Sequence, residues 1–228
     1  MNSKISVIIP VLNEAKEIKQ CLTDLLPLKS AGHEIIVVDG GSTDDTFKLA
    51  NPFADQVITA ARGRARQMNT GAALASGDIF LFLHVDTRLP KHPDQLILAA
   101  TANRTNFWGR FDVRLSGHHW LLRIVEAGMN FRSRMFGICT GDQAIFVNRE
   151  LFKRVGGYDD IELMEDIALS RKLRKRIRPI CLEDKLVTSS RRWENAGVLS
   201  TILKMWCLRL AYSIGFNPSR LARFYEQA

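Results

Sequence analysis

Glu34-Ile-Ile-Val-Val-Asp39-Gly40-Gly41-Ser42 is the stretch on which the fold turns. Four consecutive β-branched residues mark a strand covered on both faces, and the run stops at a carboxylate followed by two glycines. Ile5-Ser-Val-Ile-Ile9, ended by Pro10, is a similar strand upstream; Ile79-Phe-Leu-Phe-Leu83, leading into His84-Val85-Asp86, is a third downstream. The segments between them have helical spacing. Asn13 is placed to cap a helix bearing Ile18, Leu22, Leu25 and Leu26, which Pro27 is expected to interrupt. Ser42-x-x-Asp45 suits another helix start, and Ala65, Met68, Ala72 and Ala75 form a third apolar face before Gly77. The alternation predicts an α/β fold, a Rossmann-like mixed and mostly parallel sheet flanked by helices. Such sheets bind ligands at the carboxyl ends of their strands, where Asp39 and Asp86 fall.

The rhythm changes after residue 100. A helix is expected from Pro93 to Ala102, then strands at 107–115 and 143–147 around a helical stretch at 120–129. A basic amphipathic helix follows at 166–176, a strand at 177–187 broken by Pro179, and a long apolar helix at 198–216 interrupted by Lys204 and Arg209. No repeat, linker or low-complexity tract divides the chain, so residues 1–228 are read as one domain.

At 228 residues, 46% hydrophobic and 25% charged, the chain has ordinary globular composition, which excludes extensive disorder and fibrous architectures. Residues 1–100 carry 10 basic and 11 acidic side chains, whereas residues 101–228 carry 22 and 13, so the second half is suited to an anionic partner. Cys21, Cys139, Cys181 and Cys207 form no CxxC pair and read as reduced, mostly buried thiols. The first apolar run is too short to span a membrane and lacks a cleavage site, which reads as a cytoplasmic start.

The two strand-end carboxylates supply hard oxygen ligands of the kind that hold Mg2+ or Mn2+ against phosphates, although either alone is equally an ordinary turn residue. The GxGxxG spacing is absent after the first strand, where residues 10–14 read Pro-Val-Leu-Asn-Glu, which disfavours a dinucleotide fold. Arg62-Gly63-Arg64-Ala-Arg-Gln67-Met-Asn69 offers guanidinium donors near a helix start, suited to phosphate oxygens or a nucleobase edge, with a solvated helix face as the lesser alternative. Glu165-Asp166 opens a helix after Gly156-Gly157-Tyr158.

Taken in order, Val-Ile-Ile-Pro-Val-Leu-Asn-Glu14, Ile-Ile-Val-Val-Asp39-Gly-Gly-Ser-Thr-Asp44, Leu-Phe-Leu-His84-Val-Asp86-Thr and Met-Glu165-Asp166 resemble the family 2 glycosyltransferases. The resemblance implies a GT-A fold, a nucleotide-diphosphosugar donor, a divalent metal (Mn2+ or Mg2+) and transfer with inversion. It assigns residues 1–100 to the donor half, 101–197 to the acceptor half and 198–228 to a C-terminal helical segment. Pro10, Asn13, Glu14 and Asp39 correspond to the nucleoside pocket, with Arg62, Gly63, Arg64, Gln67 and Asn69 also on the donor side. Asp86 matches the last acid of the metal-holding DxD-type motif; His84 replaces its first acid and is read as a nucleotide-side contact. Asp166 matches the catalytic base, and Glu165 contacts the acceptor or supports Asp166.

Ser189-Ser-Arg-Arg192-Trp193 resembles the family's Gln-x-x-Arg-Trp element with serine in place of glutamine, putting Arg192 toward the diphosphate and Trp193 toward the acceptor. Gly141 and Asp142 border the acceptor pocket in the same scheme. The Gly63-Arg-Ala-x-Gln-Met-Asn69 segment and the Asn217-Pro-x-Arg-Leu-Ala-Arg ending are similar to a short bacterial subgroup labelled arsenosugar-biosynthesis glycosyltransferases.

The expected activity is therefore transfer of a sugar to an alcohol acceptor, a small molecule or one carried on a lipid. A sugar nucleotidyltransferase is the alternative, but no Gly-rich loop with lysine follows the first strand. A nucleic-acid-binding module is the weaker one, and no nucleic-acid partner is expected because aromatics are not interleaved with the basic residues. The 198–216 helix and the arginines beyond it fit either the core or a peripheral position on the inner face of a membrane.

Overall fold

The computed structural model describes residues 3–226, apart from the side chains of Arg192, Asn195 and Glu226. The first half alternates strand and helix: β1 (Ile5–Val11), α1 (Ile18–Ser30), β2 (Glu34–Asp39), α2 (Thr46–Ala50), β3 (Gln56–Thr59), α3 (Arg64–Leu74) and β4 (Ile79–Phe82). A two-residue strand β5 (Thr87–Arg88), α4 (Pro93–Thr101), β6 (Trp108–Leu115) and α5 (Trp120–Phe136) lead to a 3-10 turn (Gly141–Gln143). Beyond it come β7 (Phe146–Asn148), α6 (Arg149–Arg154), α7 (Glu165–Arg174), β8 (Ile180–Thr188), α8 (Arg191–Asn195), α9 (Val198–Ser213) and α10 (Pro218–Glu226).

The eight strands form one sheet in the order β3-β2-β1-β4-β7-β6-β8-β5. Neighbours from β3 to β4 run parallel, β7 is antiparallel to both β4 and β6, and β8 returns parallel to β6. Strand alternation sends Val7, Ile9, Ile35, Val37 and Leu81 to one face, under Ile18 and Leu22 of α1 and Ile97 of α4. Ile8, Ile36, Val38, Phe80 and Phe82 point to the other, against Ala65, Met68 and Ala72 of α3 and Leu169 and Leu173 of α7. Both faces are covered, which is why these strands read as unbroken apolar runs.

Several local expectations are corrected. Pro27 lies inside α1, which continues to Ser30. Asn13 does not cap α1; it takes a left-handed backbone (φ 55°), and its Oδ1 accepts from the Thr43 N–H at 2.8 Å. Ser42-x-x-Asp45 does mark a helix start, with Asp45 at the N-cap of α2, but no capping box forms: Asp45 makes no side-chain cap bond and Ser42 donates its hydroxyl to Asp39 Oδ1 at 2.7 Å. β3 and α6 were not anticipated: β3 is a four-residue, half-exposed edge, and α6 is a six-residue helix with a single turn and a half of periodicity. The four cysteines stand free, Cys21 and Cys139 buried and Cys207 exposed.

The long C-terminal helix α9 is only partly core. Leu208 is buried, whereas Leu199, Leu203, Trp206 and Leu210 are exposed. Trp120, Ile124, Phe131 and Met135 of the neighbouring α5 are exposed as well. Among the described residues, no helix is long and apolar enough to cross a membrane.

Candidate active site

The strand ends and the second-half helices enclose a cleft of about 630 Å3. One wall is built by the exits of β1 and β4 and the start of α3, which bring Pro10, Glu14, Arg62, Gly63, Arg64 and Asp86 to it. Gln67 holds this side together, because its buried amide Nε2 donates to Val11 O at 2.8 Å and to Val38 O at 2.7 Å, tying the ends of β1 and β2. Gly63 turns the chain into α3 with φ +135°, a backbone that side-chain-bearing residues rarely adopt. Arg62 and Arg64 are exposed toward the cleft, while Arg66 points away to Asp160 at 2.7 Å.

The opposite side carries Glu165 and Asp166. Asp166 begins the second position of α7 and lines the cleft; its Oδ2 accepts from the Gly141 N–H at 2.8 Å and its Oδ1 from the Ile167 N–H at 2.7 Å. Glu165, 5% exposed, is pushed up to about 7 by burial first and by the Asp166 charge second, against the pull of Arg64 and His84. Met164, which precedes both, is buried with φ 70°, a strained backbone for a non-glycine residue. The His84 ring sits between the two halves, with Nδ1 3.3 Å from Asp142 Oδ1. A methyl group on Gly141 would overlap the His84 ring at Nε2, so the turn and the imidazole can meet only because residue 141 has no side chain.

The C-terminal segment closes the cleft. Trp193 lines it while packing beside Leu115, Leu122 and Val198, so one indole serves both the wall and the core. Arg191 also lines it, with Nη1 2.9 Å from Glu17 Oε1. The expected Arg192 side chain lies outside the described residues. The wall also holds residues to which sequence reasoning assigned no role, among them Leu163, Met205 and Arg209. Arg209 had left one trace, a charge interrupting an apolar helix.

Three expected donor-side residues do not line the cleft. Asn13 bridges loops as described, and Asn69 is bound to Tyr158 by both amide ends, donating to Tyr158 O at 2.9 Å and accepting from Tyr158 N at 3.0 Å. Asp39 is buried, and its Oδ1 accepts from Gly41 N, Ser42 N and the Ser42 hydroxyl, which shapes the turn after β2.

No three acid, histidine or cysteine side chains converge into a metal site among the described residues. Glu14 and Asp86 nevertheless line the same cleft, and burial and then the Asp86 charge raise Glu14, with Arg191 and Arg64 opposing. That donor set fits a hard cation drawing one or two oxygens from the protein and the rest from a bound diphosphate, and it does not fit a cation caged by protein alone.

Residues 6–151 match the model of "Glycosyl transferase family 2". The chain belongs to that family. Its relatives include a "PGL/p-HBAD biosynthesis glycosyltransferase" of Mycobacterium bovis (strain BCG / Pasteur 1173P2), 30% identical over 165 residues that cover 68% of this chain and 62% of the relative. The family 2 chain described here thus spans less than two thirds of that relative. Among solved structures, S. aureus TarS 1-349 in complex with UDP-GlcNAc superposes with a TM-score of 0.67 at 20% identity, covering 82% of this chain and 58% of the other. The mannosyltransferase PcManGT from Pyrobaculum calidifontis, in complex with GDP-Man and Mn2+, gives 0.61 at 21% identity over 82% and 57%. At such identities the likeness establishes the fold, which is GT-A.

Proposed function

We propose that this family 2 protein is an inverting glycosyltransferase that moves a sugar from a nucleoside diphosphate donor to an alcohol acceptor by direct displacement. The observation that carries this reading is the two-sided cleft, with Arg62, Arg64 and Arg191 on one side and an Asp166 carboxylate held by the Gly141 N–H on the other. A diphosphate needs cationic donors, and an acceptor hydroxyl needs one base. The nucleotide sugars bound by TarS and PcManGT support the same donor class here.

In this mechanism Arg62 and Arg64 hold the diphosphate charge, and Asp86 and Glu14 face any divalent cation bound with it. Such a cation would neutralise the leaving diphosphate. Asp166 takes the proton of the acceptor hydroxyl as its oxygen attacks the anomeric carbon from the face opposite the diphosphate, and the bond from that carbon to the phosphate oxygen breaks. Glu165 positions Asp166, and Trp193 offers an apolar face to the acceptor. Asp39 shapes the nucleoside side through its turn.

A nucleotidyltransferase would need a phosphate-cradling loop after β1, where the chain has Pro10 and Glu14 instead. The exposed apolar side chains of α5 and α9, in the basic half of the chain, support a peripheral place on an anionic membrane. Calorimetry with UDP and GDP, with and without Mn2+, tests the donor side; no binding of either would overturn this reading.

A further inference from the structure

Beside the cleft lies a smaller cavity of about 240 Å3 between α5, α7 and α9. Three arginines line it, one from each helix: Arg132, Arg171 and Arg209. Around them are apolar or neutral groups, Phe136, Ile138 and Tyr212 among them. Ile167 and Arg209 line both this cavity and the main cleft, so the two spaces share a wall one residue away from Asp166.

The cations here are costly as they stand. Arg132 Nη2 and Arg209 Nε are buried without a hydrogen-bond partner. Arg132 spends its Nε on Ile138 O at 3.2 Å, and Arg171 donates to the Ser213 hydroxyl at 3.1 Å while its guanidinium lies 4.9 Å from the Tyr212 ring centre. Burial lowers Arg132 and Arg209, and Arg132 further lowers Arg209, to about 10. Both remain cations at neutral pH. The carboxylates of Asp142 and Asp166 pull the other way, yet neither Arg132 nor Arg209 closes an ion pair among the described residues. Buried donors without partners are rare in folded proteins, and two desolvated guanidinium groups that repel each other are worse. A tetrahedral oxyanion between the three helices would satisfy both orphan nitrogens and screen the repulsion.

We propose that the Arg132–Arg171–Arg209 cavity binds a phosphoryl group carried by the acceptor, so that the acceptor is a phosphorylated alcohol whose hydroxyl is presented to Asp166. The inference rests on the glycosyltransferase reading and adds to it the chemical class of acceptor. The phosphoryl group has two sources, a soluble phosphate monoester or a phospholipid headgroup.

The test uses the full chain with inorganic phosphate as probe, in calorimetry and thermal unfolding, in the presence of saturating UDP to occupy the donor side. Saturable phosphate binding is expected in the wild type and in Arg66→Gln, which lines neither space, with at least a tenfold loss in Arg132→Gln and Arg209→Gln. Without phosphate, Arg132→Gln should unfold no earlier than wild type, since it removes a repulsion. If either buried variant fails to fold, Arg171→Gln, at the cavity's more open side, should weaken phosphate on its own. Glycerol 3-phosphate and phosphatidylglycerol vesicles then separate the two sources. Phosphate binding that is abolished by UDP, or equal in wild type and all three cavity variants, would overturn the proposal. UDP binding is read separately throughout, so loss of the donor reading and loss of this one are distinguishable.

Discussion

Gly141 and Asp166 are 25 positions apart in sequence and 2.8 Å apart in the fold, joined by a backbone N–H donated to the carboxylate Oδ2. The contact fixes one carboxyl oxygen against the 3-10 turn while Ile167 N holds the other, so the orientation of the proposed base is set before any substrate enters. Preorganised side chains of this kind spend no reorganisation energy at the moment of reaction.

Replacing Asp166 by Asn keeps the shape and removes the base. Transfer should fall by ~10^2–10^4 while UDP affinity changes little. Donor consumption in the presence of cell extract, alongside calorimetry, reads the two effects; wild-type turnover would remove Asp166 from the chemistry.

Gly141→Ala should lose activity and stability together, because the new methyl overlaps His84 Nε2. A second change, His84→Ala, opens the space and should restore most of the stability lost by Gly141→Ala, a coupling a double-mutant cycle measures. Additive losses would show that the turn, and not the imidazole, is the obstacle.

Glu165 predicts a pH dependence of folding. The folded state keeps its proton up to about 7, whereas the unfolded chain releases it near 4.5, so stability falls as pH rises through that window and stays reduced above it. The full cost is roughly 3 kcal/mol. Glu165→Gln should therefore be more stable than wild type at pH 8 and equal to it at pH 4 in urea unfolding. In Asp166→Asn, where the second cause of the shift is gone, the window should narrow from its upper end.

Asp86→Asn should weaken UDP binding about tenfold or more in Mn2+ and much less in EDTA, as loss of a charged partner to the bound cation. Calorimetry in the two buffers checks it, and equal affinities in wild type and variant under both conditions would exclude Asp86 from the donor site.

The exposed rows on α5 and α9 predict flotation with anionic vesicles that fades as salt rises. Trp206→Ser with Leu210→Ser should reduce it without changing UDP affinity. Flotation that is the same for neutral and anionic vesicles would leave the basic half of the chain without a part in it.

By itself the sequence determined the layered half of the molecule. Ile5-Ser-Val-Ile-Ile9, Ile35 to Val38 and Ile79 to Leu83 are apolar without alternation because the strands are covered on both faces, and that pattern is local. The motif order carried the family, and with it Asp86, Arg64, Glu165 and Asp166 at the cleft. What it could not carry were choices made between distant segments. Asn13, Asp39 and Asn69 are polar residues at turn-like positions, and only the packed loops decide that Asn13 holds Thr43, that Asp39 Oδ1 holds Ser42 and that Asn69 holds Tyr158. Pro27 survives inside α1, where flanking residues Leu25 and Leu28 are buried against the sheet, because tertiary burial outweighs the local cost of a proline. The meeting of Arg132, Arg171 and Arg209 is decided the same way. Each is one ordinary charge on its own helix, and only the packing of α5, α7 and α9 brings three separated arginines to the wall of one cavity.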